Sequence, residues 1–433
     1  MNVLSIGGSD PSCGAGIQSD IKAAAALGVN CLTVITAITA QNSSAFSDVE
    51  AVSAKSVGKQ IDSVFSDFDV DAITIGMVYS SGIIQKIYSK LKDKKIPIVL
   101  DPVMSSTTGG RLLEKSALVA LAKLVSIAYV VTPNVSEAEM LSGVKIRKNS
   151  DLIKAARSIA GLGAKNVVIT GHSFVKSTIS DFVYTNGKHY SISGKKIAGS
   201  NHGSGCNFAF ALAYSIAKKQ AMLDSVTFAK QFAYDSIKHS QKIGRGLAIT
   251  RPIGDKIKQE LGKAIADFGR IENVSQLIPE CQTNFVFARK NAKSLDDVVG
   301  VMGRIVKAGD RVVAVGDLEY GASRHVASAV LAMQKKFPQI RAALNIRFDE
   351  KLVLKFSRAK NKIASYDRTM EPQKSKRKEN SSVSWGIRHA IKNSTSAPDV
   401  IYHKGDFGKE PMIIVFGNNP KQVVSKISKI LDA

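Results

Sequence analysis

Two periods alternate along the first 250 residues of the chain. Short runs rich in Val and Ile, at 3–6, 31–38, 72–75, 98–100, 129–131 and 166–169, have the length of buried strands. Longer amphipathic stretches with helical spacing separate them. This alternation predicts a mostly parallel central sheet covered by helices on both faces. The run 207–216 holds neither Gly nor Pro and predicts a buried helix.

The pattern breaks near residue 250, where Gly244-Arg245-Gly246-Leu247 and Arg251-Pro252-Ile253-Gly254 punctuate the chain. The expected division is a first domain over 1–250, a linker over 251–261 and a second α/β domain over 262–433. There is no internal repeat and no low-complexity tract.

Two loops of small residues interrupt the first domain. Gly7-Gly8-Ser9-Asp10-Pro11-Ser12-Cys13-Gly14-Ala15-Gly16 follows the first strand, and Asn201-His202-Gly203-Ser204-Gly205-Cys206 runs directly into the buried helix. A glycine-rich turn entering a helix presents unpaired N–H groups at the positive end of the helix dipole, which suits an anion. Cys206 falls in the first helical turn, where a thiol pKa of about 8.5 is typically lowered. The alternative for Cys206 is a small buried residue with no chemical role.

Composition narrows the class. A hydrophobic share of 44% with 22% charged residues is that of a globular protein, and 433 residues suffice for two or three cores. Cys13, Cys31, Cys206 and Cys281 form no C-x-x-C pair, so neither a zinc site nor a disulfide framework is indicated. Met1-Asn2-Val3-Leu4 does not open a signal peptide, and apolar stretches such as 31–40 are too short and threonine-rich to span a bilayer. A cytoplasmic protein without a membrane partner is expected. The net charge of +24 attracts polyanions. The one dense basic run, Lys374-Ser375-Lys376-Arg377-Lys378, lacks interleaved aromatics and reads as a solvated loop. Phosphorylated small molecules, not nucleic acid, are therefore the expected partners.

In order and spacing, the two loops together with Ala40-Gln41-Asn42-Ser43, Ile75-Gly76-Met77, Leu100-Asp101-Pro102-Val103-Met104 and Thr132-Pro133-Asn134-Val135-Ser136-Glu137 resemble the hydroxymethylpyrimidine/phosphomethylpyrimidine kinases. These are a branch of the ribokinase-like superfamily, and the resemblance covers about residues 2–245. It implies a ribokinase-like α/β/α sandwich and phosphoryl transfer from ATP with Mg2+. Cys206 stands where most of the superfamily has a catalytic Asp, and Gly203, Ser204 and Gly205 would cradle phosphate oxygens. The resemblance assigns the pyrimidine to Gly8, Asp20, Gln41, Met77 and Val103. A carboxylate and an amide match the donors and acceptors on an aminopyrimidine edge. Surface roles for Asp20 and Gln41, and core packing for Met77 and Val103, remain the alternatives. Asn134-x-x-Glu137 resembles the superfamily motif that organises magnesium near the phosphates, with Asp101 as a second candidate. Where the family usually has a phosphate-contacting lysine this chain has Thr170, and Lys176 is the nearby substitute.

The second unit resembles the archaeal-type thiamine-phosphate synthase domain over about residues 262–431. The marks are Leu277-Ile278-Pro279-Glu280-Cys281-Gln282-Thr283-Asn284, Val301-Met302-Gly303-Arg304, Tyr320-Gly321-Ala322-Ser323-Arg324-His325, Ala343-Leu344-Asn345-Ile346-Arg347, Tyr366-Asp367-Arg368, and Gly405-Asp406-Phe407-Gly408-Lys409. Expelling pyrophosphate calls for many fixed cations, and arginine supplies a planar, always-charged fork. Arg304, Arg324, Arg347, Arg368 and Lys409 are the candidates, with His325 as a proton or hydrogen-bond donor to the leaving group. Arg304 and His325 are the pair the resemblance makes essential; surface ion pairing is the alternative for any single arginine.

The resemblances together imply a bifunctional thiamine-biosynthesis enzyme, expected as a homo-oligomer. It would phosphorylate hydroxymethylpyrimidine twice and couple the diphosphate to thiazole phosphate. Two rivals stay open: a second unit that only senses thiamine-related ligands, and a first unit that phosphorylates pyridoxal.

Overall fold

The computed structural model describes residues 1–431 apart from 107–108, 174–177, 198, 200, 373–380 and 407. Lys176 and the run 374–378 thus lie outside the described residues. The chain forms two compact units, Met1–Gly254 and Asp255–Ala433.

The first unit runs β1 (Asn2–Ser9), α1 (Gly16–Leu27), β2 (Asn30–Gln41), β3 (Phe46–Ala51), α2 (Ala54–Asp67), β4 (Ala72–Ile75), α3 (Ser81–Leu91), β5 (Ile98–Leu100), α4 (Leu118–Ile127), β6 (Val130–Val131), α5 (Val135–Ser142), α6 (Asn149–Gly161), β7 (Asn166–His172), β8 (Thr178–Thr185), β9 (Lys188–Lys195), β10 (Asn201–His202), α7 (Ser204–Ala217), α8 (Met222–Lys238) and β11 (Ala248–Ile249). Nine strands form one sheet in the order β3-β2-β1-β4-β5-β6-β7-β8-β9. The six from β2 to β7 are parallel, and antiparallel β3, β8 and β9 close its edges. Successive side chains of a strand face opposite ways. Accordingly Leu4, Ile6, Ile73 and Leu100 pack under α2–α6, while Val3, Ala72, Val99 and Val130 pack under α1, α7 and α8. The expected three-layer fold is what forms.

The edges were less legible. Strand β3 is mostly exposed and carries no apolar run, so the hairpin it makes with β2 left no signal in the pattern. That hairpin extends β2 to Gln41, three residues past the expected end at 38. The chain leaves β1 first towards β2 and later towards β4, so β1 lies at the switch point of the sheet. Crevices for ligands open at the carboxyl ends of strands at such points.

The second unit runs α9 (Lys256–Gly269), β12 (Phe285–Ala288), β13 (Val298–Val301), β14 (Ile305–Ala308), β15 (Arg311–Ala314), β16 (Leu318–Tyr320), α10 (His325–Gln334), β17 (Ala342–Arg347), α11 (Glu350–Arg358), β18 (Ile363–Ser365), α12 (Ser381–Ile391), β19 (Val400–His403), β20 (Met412–Gly417) and α13 (Pro420–Leu431). Its seven-stranded sheet has the order β16-β13-β12-β17-β20-β19-β18 and is antiparallel except for β18 with β19. Phe285 and Phe287 point to α9, α11 and α13, whereas Val286 and Ala288 point to α10 and α12. Each unit therefore has its own cores.

Within the stretch 251–261, expected as a linker, α9 starts at Lys256. Asp255 caps it by accepting from Ile257 N at 2.9 Å and Lys258 N at 3.2 Å. Pro252 and Gly254 break the chain just ahead of the helix, and the cap residue Asp255 marks its start. Among the described residues no helix is long and apolar enough to cross a membrane.

Candidate active sites

The anion loop of the first unit is tighter than its sequence suggested. Gly203 is the N-cap of α7 at φ 98°, and Ser204, Gly205 and Cys206 already form the first turn. The first intrahelical bond runs from Asn207 N to Gly203 O, so the amides of residues 204–206 have no partner within the helix. A Cβ on Gly203 would fall 1.8 Å from Gly14 O, which brings the two glycine loops together. Asp10 fastens them. Its buried carboxylate accepts from Gly14 N at 3.1 Å, Ala15 N at 2.8 Å and Ser12, and pairs with His202 Nε2 at 3.0 Å. Burial pushes the Asp10 carboxyl up, but the bonds from His202, Ser12 and Ala15 outweigh it and hold the group below its usual range. The sequence gives no sign of the Asp10–His202 pair, because it spans 192 residues.

At the switch point a slot of about 60 Å3 is lined by Gly8, Asp20, Gln41, Met77, Asp101, Val103 and Cys206, among others. All five residues expected to hold the pyrimidine are in it. Asp20 Oδ1 and Gln41 Oε1 are buried and have no partner, so both are free to meet a ligand. Asp20 Oδ2 accepts from Ser5 Oγ at 2.6 Å, yet burial still raises the carboxyl to about 7. Gly8 serves by absence: a Cβ there would lie 2.7 Å from Met77 Sδ, displacing the wall of the slot.

The slot opens into a cleft of about 910 Å3, whose lining includes Gln41, Asp101, Val103, Asn134, Glu137, Gly203, Ser204, Gly205 and Cys206. Gln41, Asp101, Val103 and Cys206 line both spaces. The Asn134/Glu137 motif forms a reciprocal cap on α5, with Asn134 N donating to Glu137 Oε2 at 2.9 Å and Glu137 N to Asn134 Oδ1 at 3.0 Å. Asp101 and Glu137 are both buried. Burial, then Glu137 and Asp20, push Asp101 well above the carboxylate range; burial raises Glu137 to about 7 against its bonds to Asn134. Two buried carboxyls that resist ionising together would be relieved by a cation. Among the described residues no group of three or more His, Cys, Asp or Glu that could hold a metal ion is found.

Cys206 departs from expectation. Its thiol is raised well above its usual value, first by burial and then by Asp20 and Asp101, despite a backbone bond from Gly16. The helix terminus alone favours a lowered value; burial, joined by Asp20 of α1 and Asp101 after β5, reverses it. Thr170 lines the cleft and is tied to Pro133 O through its amide at 2.8 Å. The cleft also holds Lys195, Lys196 and Lys230, and Lys230 pairs with Asp181 at 2.9 Å. No motif pointed to these lysines.

In the second unit His325 is the first residue of α10 and Arg324 its N-cap. Burial lowers the imidazole, and the charges of Arg304, Lys409, Arg368 and Arg324 lower it further. Four of the five expected cations therefore act on His325. Arg347 does not join them: it is exposed at the end of β17, 3.7 Å from Asp349. Arg304 has φ 74°, an unusual conformation for a non-glycine residue, between β13 and β14. The sharp turn starts from a fixed point, since buried Asn284 donates to Val301 O at 2.9 Å and accepts from Val301 N at 3.1 Å. Glu410, beside Lys409, accepts from the amides of Glu280 at 2.8 Å and Cys281 at 2.9 Å. These supports leave no periodic trace in sequence.

Fold and sites define the class: a ribokinase-like small-molecule kinase followed by an α/β transferase unit lined by cations. Residues 10–251 match the phosphomethylpyrimidine kinase family and residues 260–429 the thiamine-phosphate synthase family ThiN. The bifunctional thiamine biosynthesis protein ThiDN of Methanocaldococcus jannaschii is 29% identical over 99% of this chain and 98% of its own. The thiamine-phosphate synthase ThiN of Methanothermobacter thermautotrophicus is 40% identical over 40% of this chain and 91% of its own. Among solved structures, the pyridoxal kinase of Staphylococcus aureus in complex with AMP-PCP and pyridoxal is 32% identical, with a TM-score of 0.53, over 57% of this chain and 92% of its own. The chain belongs to the phosphomethylpyrimidine kinase family over its first unit and to the ThiN thiamine-phosphate synthase family over its second. It is a bifunctional enzyme of thiamine biosynthesis, a kinase that uses ATP joined to a thiamine-phosphate synthase, rather than a kinase joined to a sensor.

Proposed function

We propose that the slot and cleft of the first unit carry two successive phosphorylations, hydroxymethylpyrimidine to its monophosphate and then to its diphosphate. The observation that carries this is the meeting of the small slot and the large cleft at Cys206 and Asp101. The ring would lie in the slot, with Gln41 and Asp20 on its polar edge and Met77 and Val103 against its faces. A carboxyl with a pKa of about 7 offers both a donor and an acceptor to ring nitrogens near neutral pH. The ATP phosphates would lie in the cleft against the amides of residues 204–206, which face the charge that spreads over the transferred group.

Asp101 and Glu137 would hold a magnesium ion through its waters, and Asn134 keeps Glu137 in place. The ion would supply charge neutralisation to the phosphates. Cys206, whose thiol is held protonated, would hold the acceptor oxygen and relay its proton as the new P–O bond forms. Burial, then Asp20 and Asp101, restrains its ionisation.

In the second unit the C–O bond at the pyrimidine methylene breaks with its electron pair going to pyrophosphate, and the thiazole nitrogen lone pair forms the new C–N bond. Arg304, Arg324, Arg368 and Lys409 would neutralise the departing charge. Burial and the surrounding cations hold the His325 imidazole below its usual value and favour the neutral ring, so it would offer one N–H bond instead of an acid proton. Arg347 has no part in this scheme.

The test is purified protein with hydroxymethylpyrimidine, Mg-ATP and thiazole phosphate. Thiamine phosphate should form, and Cys206→Ala should slow both phosphorylations by about 10² or more. Normal turnover of that variant would remove Cys206 from the chemistry, and faster phosphorylation of pyridoxal would favour the rival substrate.

A further inference from the structure

Among the described residues three lysines line the 910 Å3 cleft of the first unit, Lys195, Lys196 and Lys230. Lys195 ends β9, Lys196 follows it, and both are exposed. Lys230, in α8, is built into the wall. Its Nζ donates to Asp181 Oδ2 of β8 at 2.9 Å, and the two side chains are 15% and 6% exposed. Asp181 is fixed from its other side, where Oδ1 accepts from Gly171 N at 2.9 Å. The lysine stem lies against Gly194 of β9, where a Cβ would fall 3.1 Å from Lys230 Cε. Gly171, Asp181, Gly194 and Lys230 all line the cleft, so open space meets the pair itself.

An ion pair at this depth adds little net stability, because desolvating both charges offsets their attraction. An ammonium has three N–H groups and the bond to Asp181 uses one, which leaves donors for a ligand. The place of Lys230 relative to the glycine turn follows from backbone contacts. Thr250 N donates to His202 O at 3.1 Å and Arg251 N to Ser236 O at 3.0 Å, which sets the Ser236 turn of α8 beside the start of α7. Lys230 comes six residues earlier, about 9 Å back along the helix at the usual rise. Lys230, Ala233, Tyr234 and Ile237 line the cleft, a spacing that puts them on one face of α8. That face runs from the glycine turn to Lys230. An ATP with its terminal phosphate on the amides of residues 204–206 would lay its other phosphates along it.

We infer that Lys230, positioned by Asp181 and Gly194, binds the non-transferred phosphates of ATP. When the bond between the terminal phosphorus and its bridging oxygen breaks, the electron pair goes to ADP, and Lys230 meets the charge that grows there. The inference rests on the proposed placement of ATP in this cleft.

Titration of the full-length protein with ADP and with adenosine tests it. Lys230→Met alone would leave Asp181 buried without its cation, so it is combined with Asp181→Asn, whose amide oxygen still accepts from Gly171 N. The double variant should bind ADP about tenfold or more weakly and adenosine within about twofold of the wild type. In turnover the KM for ATP should rise with the ADP effect, while that for hydroxymethylpyrimidine stays within about twofold. Lys230→Arg, which keeps a charge opposite Asp181, should bind ADP more tightly than the double variant does. Unchanged ADP affinity in the double variant overturns the inference, and so does an equal loss for ADP and adenosine, which would put the pair against the ribose or the base. If the double variant does not fold, Lys230→Gln decides by the same two titrations. A wild type that binds ADP no more tightly than adenosine would instead refute the placement of phosphates beneath the inference.

Discussion

Replacing Gly203 by alanine should disable the kinase and spare the synthase. At φ 98° an L-residue carries about 1–2 kcal/mol of backbone strain. The new Cβ would also sit 1.8 Å from Gly14 O and 2.9 Å from Thr250 Oγ1. A carbon and a carbonyl oxygen rest at about 3.3 Å, so the loop 10–16 must withdraw by roughly 1.5 Å. That movement pulls Gly14 and Ala15 from the Asp10 carboxylate, which also holds His202 directly ahead of the anion loop. A shift of about 1 Å in a positioned group is worth about 10²-fold in rate. Phosphorylation of hydroxymethylpyrimidine should therefore fall about 10²-fold or more. Thiamine phosphate formation from supplied pyrimidine diphosphate should be unchanged, because the second unit has its own cores. Gly161→Ala is the control: a Cβ there meets nothing within 4 Å, and both activities should persist. Full kinase activity in Gly203→Ala, or equal loss of both activities, would refute the reasoning.

Other expectations concern single groups. Arg304→Gly removes the strain of φ 74° together with the charge, so the second unit should melt no lower while coupling falls sharply and pyrimidine diphosphate accumulates; coupling at the wild-type rate would contradict the role given to Arg304. His325→Ala should likewise block coupling and leave both phosphorylations intact, as read by product analysis on one sample. Asp20 is raised by burial from 3.8 to about 7, so its ionisation opposes folding. The stability it permits at low pH is lost as pH rises from about 4 to about 7, and in ligand-free protein Asp20→Asn should melt with a shallower decline across that window than the wild type. A chain ending at Gly254 should keep both phosphorylations and lose thiamine phosphate formation; failure of that piece to phosphorylate would show that the kinase needs the second unit.

The sequence by itself determined the layered fold of the first unit, because each buried parallel strand leaves a compact run of Val and Ile and each covering helix a periodic one. It also marked the glycine turn that enters α7, the loop proposed to take phosphate, since a small-residue run ahead of an apolar helix stands out in the pattern. It named the slot residues and most of the cations around His325. Contacts made across long stretches of chain were decided only by tertiary structure. The Asp10–His202 tie, the Asn284 support beneath Arg304 and the Lys230–Asp181 pair join residues whose local sequence is unremarkable. Edge strands such as β3 escaped because a half-exposed strand needs no apolar run. The charge state of Cys206 could not be read from its place at a helix start either. A pKa depends on everything within a few ångströms: burial reverses it first, and the carboxylates that add to the shift arrive from 186 and 105 positions earlier in the chain, at Asp20 and Asp101.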